Sequence, residues 1–137
     1  GDYIINNGTL RSLVAQKRCL PLPNQYYVDG LKKLRNKFKN SKIVVFSDDI
    51  NWANSWLPQV FDNIYFSNLQ SSNASSDMQM LSQCNHFVIS NSTFGWWAAY
   101  LSSFPDKIVV TPEKWFADGF EDYDIVPLSW LDSQNQL

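Results

Sequence analysis

Glycine, cysteine and histidine are all scarce in this sequence, and each shortage closes off some chemistry. Five glycines scattered over 137 residues form neither a Walker loop nor a dinucleotide fingerprint, both of which cluster glycines so that backbone amides can approach a phosphate. Cys19 and Cys84, the two cysteines, are too few for a disulfide scaffold and lack the spacing of metal ligands, so they are expected to be ordinary thiols. The one histidine, His86, opens an apolar run, where a structural imidazole is expected rather than a general base. No apolar run approaches the ~20 residues a membrane-spanning helix needs. No signal peptide opens the sequence, and the chain is expected to be soluble as given.

Charge is sparse as well, at 18% of residues, whereas hydrophobic residues make up 45% and aromatics 15%. That balance excludes disorder, collagen-like repeats and coiled coils, and 137 residues suit one domain with a core. The charges are unevenly placed: nine of eleven Lys and Arg lie at or before Lys42, and eleven of thirteen Asp and Glu follow it. Because Lys32, Lys33, Arg35, Lys37, Lys39 and Lys42 crowd one expected helix and its exit, a solvated helix face explains the cations better than an anion site. No nucleic-acid-binding motif is present, and no nucleic-acid partner is expected.

The hydrophobic spacing sets out an alternating order of elements. Tyr27, Leu31, Leu34 and Phe38 fall at helical intervals after Pro23, with Asn24 as a candidate cap, and predict a helix near 25–38. Lys42 to Phe46 is a short β-branched run ended by Ser47-Asp48-Asp49, as a buried strand would be. A short helix carrying Trp52 and Trp56, a strand at Asn63 to Phe66, and a loop from Ser67 to Ser76 follow. A further helix is expected to start near Ser76, then a strand at His86 to Ile89, a helix launched from Ser90-Asn-Ser-Thr93, and a strand at Lys107 to Val110. Trp115, Phe116 and Trp130 are expected to dock, and to contribute to an apolar patch facing a further lobe; residues 133–137 are expected to fray. Alternating elements with apolar strands predict an α/β fold, Rossmann-like and doubly wound, with a mostly parallel sheet over residues 1–132.

Ligands of such folds bind beyond the carboxyl ends of the strands, where Asp48-Asp49 and Ser90 to Thr93 fall. Ser90, Asn91, Ser92 and Thr93 open a helix whose amides and positive end could hold a phosphate, although capping alone would use one of these side chains. Asp77, in the first turn of its helix, either favours the helix dipole or accepts the paired N–H donors of a guanine. Asp48 and Asp49 suit ribose hydroxyls, a metal, or a helix cap. Sequons at Asn7, Asn73 and Asn91 are short patterns in an Asn/Ser-rich chain, and glycosylation is not inferred from them.

The string Asp77-Met-Gln-Met-Leu-Ser-Gln-Cys-Asn-His-Phe-Val-Ile-Ser-Asn-Ser-Thr-Phe-Gly-Trp-Trp97 resembles the signature of the alpha-1,2-fucosyltransferases of glycosyltransferase family 11. Gly1-Asp2-Tyr3, Phe46 to Trp52, Lys107 to Pro112, Lys114-Trp-Phe116 and Ile125-Val-Pro127 extend the likeness over nearly the whole sequence. The resemblance implies the donor-binding lobe of a GT-B-type, inverting and metal-independent enzyme. Such an enzyme needs no cofactor and transfers L-fucose from GDP-β-L-fucose to the 2-hydroxyl of a galactose-terminated glycan. It implies that Asp77 reads guanine, that Asn91, Ser92 and Thr93 lie near the donor phosphates, and that Asp48 and Asp49 form the acidic pair at a strand end. Asp2 would orient the arginines of a His-x-Arg-Arg that usually precedes Gly1, and without them and the N-terminal lobe the chain is expected to be inactive alone. The family's Ser and Gly are replaced here by Gly95 and Ala98, small for small. No catalytic base is identified. The resemblance places the protein in the cytoplasm or at a membrane in a bacterium, or in the Golgi lumen of a eukaryote. The competing readings are a receiver-type phosphoacceptor domain and a non-catalytic nucleotide-binding module.

Overall fold

Residues 22–67, 73–116 and 124–137 are described by the computed structural model; Asp2, Cys19 and the sequon at Asn7 lie outside them. Helix α1 spans Asn24–Lys37, close to the span predicted by its apolar spacing. Its N-cap is Pro23 rather than Asn24, without a side-chain cap, and the Tyr26 amide reaches the Pro23 carbonyl at 3.0 Å. Proline suits this place because it is extended and has no amide to leave unpaired. After Phe38 the backbone turns through Asn40, whose φ of 63° is left-handed, a conformation that asparagine tolerates. Strand β1 (Ile43–Val45) follows.

Helix α2 (Ile50–Trp56) continues into a 3₁₀ turn at Leu57–Gln59, where Pro58 lacks the amide a further α-helical bond would need. Next come β2 (Ile64–Phe66), α3 (Ala74–Ser82), β3 (Phe87–Val88), α4 (Thr93–Leu101), β4 (Val109–Val110) and α5 (Leu128–Gln134). The strands are shorter than their apolar runs, because only residues that find a ladder partner count as strand. α3 begins before Ser76 because Asn73 caps it, its side-chain oxygen accepting from the Ser76 amide at 2.8 Å.

The four strands form two parallel pairs, β1 with β2 and β3 with β4. Ile43 is opposite Ile64 in the first pair, and Phe87 opposite Val109 in the second. Helix α1 relates the pairs. At its start, the Tyr26 hydroxyl donates to the carbonyls of Ile89, just past β3, and of Val110, the last residue of β4, at 2.6 and 3.1 Å. Beyond its end, Phe38 stacks on His86, with ring centroids 4.0 Å apart, before β3 begins. On the other pair, Arg35 donates to the carbonyls of Ser41 and Asp62, before β1 and β2, while Tyr27 meets Trp52 beyond β1. Helix α1 therefore runs antiparallel to both pairs, and all four strands point the same way. Gly30 permits its close approach: a Cβ there would lie 3.0 Å from a Val88 methyl and 3.2 Å from a Val110 methyl. The molecule is thus α/β with small parallel sheets.

Three groups of buried apolar residues follow this division. One joins Phe87, Ile89, Ala99, Val109, Trp115 and Trp130; a second joins Val28, Ile43, Leu57 and Phe61; a third joins Leu34, Ile108 and Val110. Trp115 and Trp130 dock as expected, as core residues at 6% and 3% exposure, and are therefore not part of an exposed apolar patch. The apolar surface includes Trp97, Tyr100 and Leu101 on α4, and Leu128. The stretch expected to fray beyond Asp132 carries the last residues of α5. There the Gln134 side chain grips Thr111, accepting from its amide at 3.1 Å and donating to its hydroxyl at 3.0 Å. The end of the chain is held because α5 brings Trp130 into the core and Gln134 onto the end of β4.

Candidate functional site

Common strand direction brings three loops to one end of the molecule: Ser47 to Asp49 after β1, Ser90 to Ser92 after β3, and Thr111 after β4. Helices α3 and α4 pack side by side. At their far ends the Ser102 hydroxyl donates to the Cys84 carbonyl at 3.1 Å, and both helices have nine residues. With ends together and lengths equal, the two helices start on the same side, so Asp77 in the first turn of α3 shares an end with Ser92 and Thr93.

Each expected residue can now be placed. Asp77 is buried, at 4% exposure, and a carboxylate so enclosed is held by polar neighbours. Ser92 is 1% exposed and caps α4, its hydroxyl oxygen accepting from the Phe94 amide at 3.2 Å. Thr93 is exposed beside it. Asn91 is buried and donates its side-chain amide to the Trp115 carbonyl at 3.1 Å, tying the start of α4 to the segment after β4. That engagement leaves its nitrogen unavailable to a glycan. Asp49 caps α2, its carboxylate accepting from the Trp52 amide at 2.9 Å while its own amide donates to the Ser47 hydroxyl at 3.0 Å. Asp48 is exposed. The capping role weighed for the acidic pair thus falls to Asp49, beside the exposed Asp48.

A cavity of about 580 Å³ lies between the two strand pairs. Its walls include Ser47 and Ser90 but none of Asp77, Asn91, Ser92, Thr93, Asp48 or Asp49. The expected site residues therefore lie at the ends of the elements, whereas the cavity runs back between β1 and β3. His86 has the structural role expected of it: Nδ1 accepts from the Ile108 amide at 3.2 Å, and the ring packs between Phe38 and Phe104. Partial burial, and then the nearby Lys37 charge, depress its pKa below the ordinary histidine value. Burial raises the pKa of the Cys84 thiol.

Tyr26 was not singled out by spacing. Its hydroxyl donates to the carbonyl of Ile89, the residue before Ser90, and burial, with the neighbouring Tyr27 second, pushes its pKa far above the usual phenol value. No local pattern announces it, since its partners are 63 and 84 residues away. Trp96 donates its indole N–H to the Ile125 carbonyl at 2.7 Å and stacks on Tyr100, fastening the segment before α5, while Trp97 is half exposed. Among the described residues no group of three or more His, Cys, Asp or Glu could hold a metal ion, and no helix is long and apolar enough to cross a membrane.

Comparison with known proteins adds what geometry cannot. Residues 1–133 match the family model described as glycosyl transferase family 11. The chain is 37% identical over 117 residues to the O-antigen biosynthesis glycosyltransferase WbnK of Escherichia coli, covering 85% of this chain and 37% of that protein. It is 30% identical over 135 residues to an alpha-1,2-colitosyltransferase of Escherichia coli, covering 96% of this chain and 44% of that protein. A mouse galactoside 2-alpha-L-fucosyltransferase, Sec1, is 38% identical over 79 residues, covering 56% of this chain and 21% of that protein. The chain therefore spans less than half the length of these relatives. No solved structure matches it.

Proposed function

Because the chain belongs to glycosyl transferase family 11, we propose that it forms the Rossmann-like, donor-binding part of a GT-B-type enzyme. That enzyme transfers L-fucose from GDP-β-L-fucose, with inversion and without a metal, to the 2-hydroxyl of a galactose-terminated glycan. The observation that carries this reading is the shared end of α3 and α4, which sets a buried carboxylate, Asp77, on the same side as the hydroxyl-rich start of a second helix. The ring N–H and exocyclic amine of guanine match one carboxylate, and a helix start favours the negative diphosphate.

Each residue then has a part. Asp77 accepts from guanine. Thr93 offers its exposed hydroxyl to the diphosphate, and Ser92 shapes the helix start by capping it. Asn91 braces that start against Trp115, and Asp48 serves the ribose. Transfer leaves negative charge on the departing GDP, so donors fixed in advance at the diphosphate lower the barrier. The arginines of a His-x-Arg-Arg before Gly1, oriented by Asp2, would supply most of that charge. The acceptor base would come from the opposite lobe. The match over residues 1–133 favours this reading over a receiver-type phosphoacceptor.

GDP is expected to raise the thermal midpoint more than ADP does. A nucleotide present at ~100 times its Kd would stabilise the fold by about 2.7 kcal/mol. Asp77→Asn, which keeps the side chain's shape, should remove the preference for GDP. Equal shifts from the two nucleotides with the native protein would reject the guanine assignment. Transfer from GDP-L-fucose and from the corresponding colitose donor by the full-length enzyme would then decide the sugar.

A further inference from the structure

Pro112 interrupts the backbone pairing of β3 and β4 at the end where the candidate site lies. In a parallel ladder, a residue that donates its amide to one carbonyl of the partner strand accepts, at its own carbonyl, from the partner amide two residues further on. The Phe87 amide donates to Ile108 at 2.9 Å and the Ile89 amide to Val110 at 3.0 Å. The Ile89 carbonyl therefore faces β4 and calls for the amide of residue 112. That residue is a buried proline, which has no amide to give. Ile89 is itself buried, and a buried peptide carbonyl needs a donor. Tyr26 supplies one from α1, its hydroxyl reaching the Ile89 carbonyl at 2.6 Å and the Val110 carbonyl at 3.1 Å. A hydroxyl has one proton to give, and Val110 already accepts from the Ile89 amide, so the nearer carbonyl is the one in need. Burial keeps the phenol protonated through the neutral range, and the donor is always present.

The Ile89 carbonyl belongs to the peptide bond from which the loop before α4 departs. Only Ser90, Asn91 and Ser92 separate it from Thr93, the first residue of α4, and those three have little slack. The Ser92 amide donates to the Ser90 carbonyl at 2.8 Å, and the Trp96 amide to the Ser92 carbonyl at 3.0 Å. The Asn91 side chain is anchored on the Trp115 carbonyl. The setting of the Ile89–Ser90 peptide therefore passes to the start of the helix. We infer that Tyr26 is a positioning residue for the donor diphosphate: its hydroxyl stands in for the amide that Pro112 lacks and fixes the direction in which Ser90 to Thr93 meet the phosphates. This rests on the donor-binding function proposed above and adds to it a residue from another helix, one that touches no nucleotide itself. Its effect is on affinity, because a ligand that must first order a loop loses binding energy to that ordering.

Titration calorimetry with GDP and with guanosine, which lacks the phosphates, separates this role from a merely structural one. Tyr26→Phe keeps the ring that packs against Leu34, Ile108 and Val110 and removes only the hydroxyl. Its affinity for GDP should fall roughly tenfold, while that for guanosine changes by less than about twofold. His86→Phe removes a hydrogen bond at the opposite end of the same two strands; it should lower the thermal midpoint and leave both affinities as they are. Unchanged GDP affinity in Tyr26→Phe, an equal loss for GDP and guanosine, or the same selective loss in His86→Phe would overturn the inference and leave the donor-binding reading standing. Native protein that binds GDP no more tightly than guanosine would instead defeat the phosphate assignment, and this inference with it.

Discussion

His86 ties pH to stability through a single ring. Its Nδ1 must be unprotonated to accept the Ile108 amide, and its folded pKa is depressed by burial and then by Lys37. The unfolded chain therefore takes up a proton before the folded one does. The contribution of His86 is fully present above the ordinary pKa of ~6.5 and declines as pH falls from there toward the folded value. The thermal midpoint should drop as pH is lowered through this window. In His86→Phe the drop should flatten, although the variant starts less stable at neutral pH because Ile108 loses its acceptor. An equal slope in both proteins would remove His86 as the source. The structural role of this histidine was legible because it opens an apolar run. Tyr26 was not, since a phenol on a helix gives no sign of carbonyls far along the chain.

Among elements, helices were easier to read than sheets. A helix is written in local spacing, and Tyr27, Leu31, Leu34 and Phe38 define α1 without reference to anything outside it. Strand runs such as Ile43–Val45 were visible as apolar stretches, but which stretch pairs with which depends on contacts that periodicity does not encode. Caps fall between these cases. Several hydroxyl and amide side chains stand near the start of α3, and geometry selects Asn73, whose carbonyl oxygen meets the Ser76 amide and hydroxyl. Asn73→Ala should cost about 1 kcal/mol in denaturant unfolding. Asn73→Asp should cost little, because it keeps the acceptor and adds a negative charge where the helix dipole favours one. At the candidate site, the sequence order placed Asp77 and Ser92 each at a helix start. That the two starts share an end follows only from the Ser102 to Cys84 bond at the other end of the helices.

For the whole molecule, the division between strand pairs predicts how the isolated chain unfolds. Trp52 and Trp56 pack beside β1 and β2, whereas Trp96, Trp115 and Trp130 belong with β3 and β4. Denaturation of the 137-residue chain followed by tryptophan fluorescence should give two midpoints, and a variant with phenylalanine at positions 52 and 56 should retain only the second pair's transition. A single midpoint for the isolated chain would show that α1 alone couples its halves. The phenol bridging the ends of β3 and β4 offers an optical record of the same event. In alkaline titration followed by phenolate absorbance, the Tyr26 phenol should stay dark until the fold opens. Its late appearance would then time the parting of α1 from the sheet it spans.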